Sequence, residues 1–520
     1  MMRYDAIVIG AGVNGLAAAV HLSAKGWKVA VVERAAVAGG AVKTAEITLP
    51  GFRHDLYAMN LGLFTGSPFF AAYKDRLIAQ GLDFAGAQHC FATAFPDGSW
   101  LGVEKDAQAN AERIARLSAA DAERWRTMTA AFPQDAPHIF GLLGTPLPSW
   151  QAARVAFAAW RARGANWVAD TARLLLSSTR DWLDANFEND KLKAMLAVWG
   201  MHLDFSPDTA GGALFPYLEA MADQSFGMAL GKNGADAIIT AMVGALKAAG
   251  GEVRLGADVV RIIRNDSGAS AVELKDGEQL EAERAVVANL HPRVLAGLIG
   301  HPPAELSRMA KLRPGPGTMM VHLALSDLPD WTAGAALKSF AYVHLAPSFA
   351  AMAKTYTEAL AGLLPAEPAL VVGQPTALDP TRAPPGRHIL WVQVRVLPAK
   401  ILGDAAGSIA ARDWDSAKER YAERVLDVIE RYAPGLRGKI LARAVLSPAD
   451  LERDNPNLVG GDSLGGSHHL DQNFLFRPAF GWSRYRTPIK RLYIVGASTW
   501  PGAGTGAGSG FMLAKALAGA

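Results

Sequence analysis

Residues 4–34, YDAIVIGAGVNGLAAAVHLSAKGWKVAVVER, constrain this chain more than any other segment. An apolar run, Ala6 to Ile9, feeds into Gly10-Ala11-Gly12-Val13-Asn14-Gly15. A helical stretch, Leu16 to Lys25, follows, and a second apolar run, Val29 to Val32, ends in Glu33. Strand, glycine turn, helix, strand and acid is the layout of a dinucleotide-binding βαβ unit. Gly10 lets the chain turn sharply out of the strand. Gly12 lets the backbone approach a pyrophosphate, and Gly15 lets the helix pack on the strand. The helix N-terminus, at Val13 and Asn14, offers free N–H groups and partial positive charge to phosphates. Glu33 falls close to the usual spacing of about 20 residues, where a carboxylate accepts from ribose hydroxyls. An ordinary βαβ crossover with a glycine turn would need no acid there.

The same fingerprint serves FAD and NAD. Glu33-Arg34 is followed by Gly39-Gly40 and then Ala41-Val42. This ERxxxxGG pattern resembles the extended motif of flavoproteins in the amine oxidase and phytoene desaturase superfamily. There the glycine pair lets the chain pass close to the FAD phosphates and ribityl chain. A plain surface turn is the alternative.

A second strand, glycine loop and helix stand near residue 500, in RLYIVGASTWPGAGTGAGSGFMLAKAL. The buried run Leu492 to Val495 ends at Gly496, and a loop through Gly504-Thr505-Gly506 leads into a helix reaching Leu517. Two such units at distant points of the sequence make sense when both border one long cofactor. The second would set backbone N–H groups and a helix N-terminus beside the flavin ring, where partial positive charge stabilises the reduced form. A tight loop packing the final helix is the bland alternative.

At 520 residues the chain suggests two or three structural units. Its net charge of +3 is too small to argue for nucleic acid. The one cysteine, Cys90, excludes intrachain disulfides and a CxxC redox pair, and reads as a small buried hydrophobe. No metal site is expected either. The first apolar run reads as a strand, so no signal peptide is expected, and no run reaches the roughly 18 residues of a membrane span. A cytoplasmic location is expected, with peripheral membrane contact left open.

Thr65 to Leu82 reads as a helix, and Phe91 to Val103 as a hairpin turning at Pro96-Asp97-Gly98-Ser99. Lys105 to Phe205 is mostly helical, with breaks near Pro133, Gly144 to Pro148, and Gly164. Beyond Gly227 come a helix, strands at Glu252 to Leu255 and Asp258 to Arg264, a hairpin at Asp276-Gly277, and a buried strand at Ala285 to Ala288. Alternating runs at Met319 to Leu325, Phe340 to Leu345 and Ile389 to Val396 predict an antiparallel sheet. Asp413 to Tyr432 predicts a helix with Ala422, Val425, Val428 and Ile429 on its apolar face.

GAGVNGLAAAVHLSAKGWKVAVVER, GFRHDLYA, DPTRAPPGRHILWVQV and GGDSLGGSHHLDQNFLFRP…IKRLYIVGASTWPGAG together resemble the phytoene desaturase-like flavoproteins. The nearer branch is that of pyridine nucleotide-disulfide oxidoreductase domain-containing protein 2. The resemblance touches both terminal motifs and the middle of the chain. It implies an α/β (α+β overall) architecture, with a Rossmann-type FAD-binding domain interwoven with a substrate domain of mixed β-sheet plus a helical cap. Residues 1–75, 225–300 and 455–520 form the discontinuous FAD domain. Residues 76–224 and 301–454 form the substrate domain, with 105–205 as the cap. It further implies noncovalent FAD, with a backbone contact from Val259 to the adenine, and redox chemistry on a hydrophobic small molecule. Oxygen or a quinone is the expected electron acceptor, and an oligomer stays open. Two departures stand out. Gly496 is followed by Ala497 and Ser498 where relatives often carry an acid, and Trp500 stands where many have His.

Flavin takes the hydride, so a protein base is needed only if a proton also leaves. The candidates are His54, Asp55, His468, His469 and Asp471, with Trp500 at the site either packing against the flavin or walling the substrate pocket. Trp150, Trp160, Trp167, Trp182 and Trp199 lie among Arg154, Arg161 and Arg163, a pattern of either cap packing or bilayer contact. Two other classes remain open: a flavin amine oxidase, which needs an aromatic cage, and a non-catalytic flavin-binding protein.

Overall fold

The computed structural model describes residues 2–519. Its first sheet is parallel at the centre. Strand Met2–Ile9 lies between Val29–Val32 and Gln279–Ala288, with Glu252–Arg254 outside Val29–Val32. The far end of Gln279–Ala288 pairs with Leu492–Ile494, and its near end pairs with the hairpin Val259–Asn265/Gly268–Leu274. Because side chains alternate along a strand, each face meets a different layer. Ala6, Val8, Val29 and Val31 pack under helices Val13–Ala24, Ala237–Ala248 and Gly508–Ala518. Ile7, Ile9, Ala30 and Val32 meet Val259, Ile262, Leu295 and Met309 on the other side.

The second sheet has seven strands in the order Ile440–Leu446, Gly317–Leu325, His388–Leu397, Ala369–Gly373, Tyr342–Leu345, His89–Ala94 and Trp100–Glu104. It corrects the antiparallel expectation at one place: Tyr342–Leu345 runs parallel to His89–Ala94. Those strands are far apart in sequence, so no tight turn dictates their direction. The outer face, with Val321, Leu323, Val343 and Val392, is sealed by helix Trp414–Tyr432 through Ala422, Val425, Val428 and Ile429.

Helices Ala107–Ala115, Ala119–Leu143, Trp150–Leu176, Thr179–Asn186, Asp190–Met201 and Leu214–Phe226 cover the inner side. The first five begin on capping Asp, Ser or Asn side chains. The break expected at Pro133 does not occur: Ala119–Leu143 runs through Pro133 and Pro137. A helix-interior proline costs about 3 kcal/mol. Burial of Trp125, Met128, Phe132 and Ala136 offsets it. Gly164 does interrupt Trp150–Leu176, with φ +84°. The helix expected over Thr65 to Leu82 is shorter, Pro68–Ile78 capped by Ser67, and a separate helical turn, Gly62–Thr65, precedes it. No helix among the described residues is long and apolar enough to cross a membrane.

Candidate functional site

The two glycine motifs meet. Gly12 and Gly39 form a β-bridge, and Gly39 N donates to Ala11 O at 3.0 Å. Gly39 has φ +134°, and a Cβ there would lie 2.2 Å from Val42 O, so only glycine fits. A Cβ on Gly15 would lie 2.2 Å from Gly10 O. The final helix is tied to the first: Ser509 Oγ donates to Asn14 Oδ1 at 2.9 Å and accepts from Gly496 N at 2.9 Å. A Cβ on Gly510 would meet Asn14 O at 1.8 Å. Asn289, at the end of the strand between the motifs, approaches both Gly12 and Gly496.

This cradle fits a dinucleotide. Glu33 is buried at the second strand's end, its carboxylate accepting from Ala11 N and Ala35 N at 2.9 Å each. Arg34 is exposed beside it, while Val259 is buried on the neighbouring hairpin. Gly504 and Gly506 lie against Leu63, and the buried Thr505 Oγ1 between them has no protein partner. Such an unpaired hydroxyl is available to a ligand.

The proton-transfer candidates are dispersed. Asp55 is engaged in a buried ion pair, 2.5 Å from Arg382 Nη1, and also accepts from Thr44 Oγ1 and Ala235 N at 2.7 Å. His54 is fully buried with Nε2 2.7 Å from Thr48 Oγ1. Burial, then the Arg382 charge, pushes its pKa down to about 4. His468 Nε2 accepts from Ala503 N at 3.1 Å and so braces the C-terminal loop. His469 Nε2 lies 2.7 Å from Asp204 O and 3.2 Å from Tyr356 OH, and Asp471 is paired with Arg313. Trp500 is buried; its Nε1 donates to Thr145 O at 2.8 Å, joining the glycine loop to the helical cap. Cys90 is buried, and burial pushes its thiol pKa up. Among the described residues no three of His, Cys, Asp and Glu converge as a metal site.

The residues that sequence reasoning missed lie on the second sheet's inner face. From Gly39-Gly40 the chain continues through Ala41 and returns along Leu56 to Ala58, where Leu56 N donates to Lys43 O and Ala58 N to Ala41 O. Lys43 and Tyr57 both bond Asp454, at 2.8 and 2.6 Å. Met59 then packs at Gly373 beside Trp391. Here the inner face presents Phe91, Thr93, Met320, Tyr342, His344, Trp391, Gln393 and Arg395 toward Trp199 and His202 of the cap. Both His344 ring nitrogens, Trp391 Nε1, Gln393 Oε1, Trp199 Nε1 and Thr93 Oγ1 are buried without protein partners. Native interiors seldom leave such atoms unpaired. Glu219 and Asp223, on helix Leu214–Phe226, have carboxyls whose pKa burial raises. The signal was the alternation of Trp391, Gln393 and Arg395 with Leu390, Val392 and Val394.

The flavin containing amine oxidoreductase family matches residues 14–507. The chain is 28% identical to pyridine nucleotide-disulfide oxidoreductase domain-containing protein 2 of Mus musculus, over 96% of this chain and 91% of that protein. It is 29% identical to phytoene desaturase (neurosporene-forming) of Rhodobacter capsulatus, over 98% and 93%. An oxidoreductase from Methanosarcina mazei shares the fold, with TM-score 0.62 at 18% identity, covering 98% of this chain and 99% of that one.

Proposed function

The chain belongs to the flavin containing amine oxidoreductase family as an FAD-dependent oxidoreductase, and on that premise we propose that it dehydrogenates a hydrophobic small molecule of carotenoid or lipid type. The observation that carries this reading is the inner face of the second sheet. Met59, Phe91, Trp199, Met320, Tyr342 and Trp391 make an aromatic and thioether surface over the segment that leaves the glycine cradle. Residues 1–75, 225–300 and 455–520 are assigned to cofactor binding, and 76–224 with 301–454 to substrate binding.

Gly10, Gly12, Val13, Asn14, Gly15, Gly39, Gly40, Ala41 and Val42 would hold the pyrophosphate and ribityl chain. Glu33 would hold the ribose, with Arg34 and Val259 toward the adenine. Gly496, Gly504, Thr505 and Gly506 would border the ring, with the helix N-terminus opposing negative charge. Bound FAD supplies a hydride acceptor at N5. Trp500 and the cap keep water away, while Asp55 and His468 position the chain and do not move protons.

One observation favours this over amine oxidation. Tyr342 and Trp391 stack on one another at 5.7 Å, which leaves no open slot between their rings. A cytoplasmic protein in peripheral contact with a bilayer is the location we favour. Before Gly164, Trp150, Arg154, Phe157 and Arg161 share one exposed helix face.

The test is anaerobic mixing of the yellow holoprotein with a polyene hydrocarbon, a long-chain lipid and a set of alkylamines. Bleaching of the visible flavin band by the polyene or lipid is expected. Bleaching by amines alone, or by none, overturns the proposal; reoxidation by oxygen against quinone then identifies the acceptor.

A further inference from the structure

Arg382, Arg477 and Arg395 show three ways of holding a guanidinium inside a protein. Arg382 is matched by Asp55 and Asp379, at 2.5 and 3.2 Å. Arg477 donates to the backbone oxygens of Leu464, Gly465, Gly466, Ser467 and Ala497, at 2.7–3.2 Å. Arg395 has neither. Its Nε is buried without a partner, and Nη1 and Nη2 reach only His202 O and Nδ1, at 3.3 and 3.4 Å. Among the described residues it forms no ion pair. Asp462 acts on it through space, but that carboxylate already accepts from Gly315, Leu464 and Gly466 N–H groups at 2.7–2.9 Å.

Arg395 is partly buried, with its Nε shut away from water, and a partly desolvated guanidinium gains from a counter-charge. Burial lowers the Arg395 pKa only to about 10, so the group keeps its charge at neutral pH. Burial raises the carboxyl pKa of Glu219 and Asp223 and lowers the imidazole pKa of His202 and His344, so it disfavours the charged form of each of these neighbours. Arg395 is thus a guanidinium on this face to which, among the described residues, no carboxylate is hydrogen-bonded.

The backbone aims it there. Gly317 pairs with Leu397, but Met319 pairs with Val394, so the Arg395 strand carries one extra residue at this point. A β-bulge of this kind re-aims a side chain. Val396, inside the bulge, has φ +63°, a strained conformation for a β-branched residue. Leu397, two residues beyond Arg395, and Asp204, two residues beyond His202, border a cavity of about 490 Å³ together with Lys400, His469 and Arg313; Arg395 and His202 stand next to its lining and are not part of it.

We propose that Arg395, assisted by His202, anchors one carboxylate on the substrate, which is therefore an apolar chain or ring system carrying a single carboxylate. The proposal rests on the reading of this face as the substrate site of a flavoenzyme. A dianion would leave one charge uncompensated, whereas a carboxylate matches the planar fork.

The holoenzyme is titrated with decanoate, 1-decanol and decylamine, following the perturbation of the visible flavin spectrum. Decanoate is expected to bind at least tenfold more tightly than decanol. R395Q should abolish that preference while leaving decanol affinity and flavin content unchanged, and R395K should restore part of it. Equal affinities for decanoate and decanol in the unmodified enzyme, or a preference that survives R395Q, overturn the carboxylate assignment alone. If none of the three perturbs the flavin, the substrate-site reading falls with it. If R395Q loses its flavin, the wild-type ratio and R395K decide.

Discussion

His344 is fully buried with both ring nitrogens unpaired, and burial, then Arg395, pushes its pKa down to about 3. Arg395, His202, Trp199, Tyr342 and Phe91 surround it. In the unfolded chain the imidazole titrates near 6.5. Below that value the unfolded state binds the extra proton, so stability falls as pH drops, by about 1.4 kcal/mol per pH unit for each such histidine. H344F removes one such histidine and two unpaired polar atoms. Its denaturant midpoint at pH 7 should equal or exceed that of the parent, and its loss between pH 6.5 and 4 should be shallower. An unchanged slope would place His344 in contact with water. Glu33 and the glycine cradle could be read from residue types and spacing alone. Arg395 could not, because its significance lies in the absence of a partner, and a sequence does not display absent partners.

At the scale of elements, Ser509 is the join between the first helix and the last. Removing its hydroxyl leaves Gly496 N–H without this partner and Asn14 Oδ1 with only the longer bond from Gly510 N at 3.4 Å, a loss of about 1–3 kcal/mol at the cradle. S509A should therefore weaken FAD binding about tenfold or more, read by quenching of flavin fluorescence as the apoprotein is titrated. Unaltered affinity would mean that this tie does not shape the site. The strand–glycine–helix units and helix Trp414–Tyr432 were legible because their periodicity is local. Pro133 misled because tertiary packing, with Phe132 and Trp125 buried, overrides a local breaker. The parallel pairing of Tyr342–Leu345 with His89–Ala94 was hidden for the opposite reason: it depends on chain segments that meet only in the finished fold.

Over the whole molecule, the chain crosses repeatedly between the two sheets, and Asp55–Arg382 is one of the clasps. Asp55 sits on the segment leaving the cradle, while Arg382 precedes the second-sheet strand His388–Leu397. D55N removes one charge of a buried cluster, and breaking such a pair costs about 3–5 kcal/mol. Because the sheets share this clasp, the variant should unfold at lower denaturant in one transition, with flavin release and far-UV circular dichroism coincident. Two separated transitions would show that the sheets fold independently.

The bond between Asn14 and Ser509 closes a separation of 495 residues. At a synthesis rate of about 5–20 residues per second, the fingerprint waits about 25–100 s on the ribosome before its partner is even made. For roughly the first half of that interval the apolar strand Met2–Ile9 has no Gln279–Ala288 beside it, and Gln279–Ala288 in turn lacks Leu492–Ile494 until near the end. Capture of the cofactor thus waits until Ser509 and the loop before it have been made, and the nascent chain is a natural client for chaperones until then.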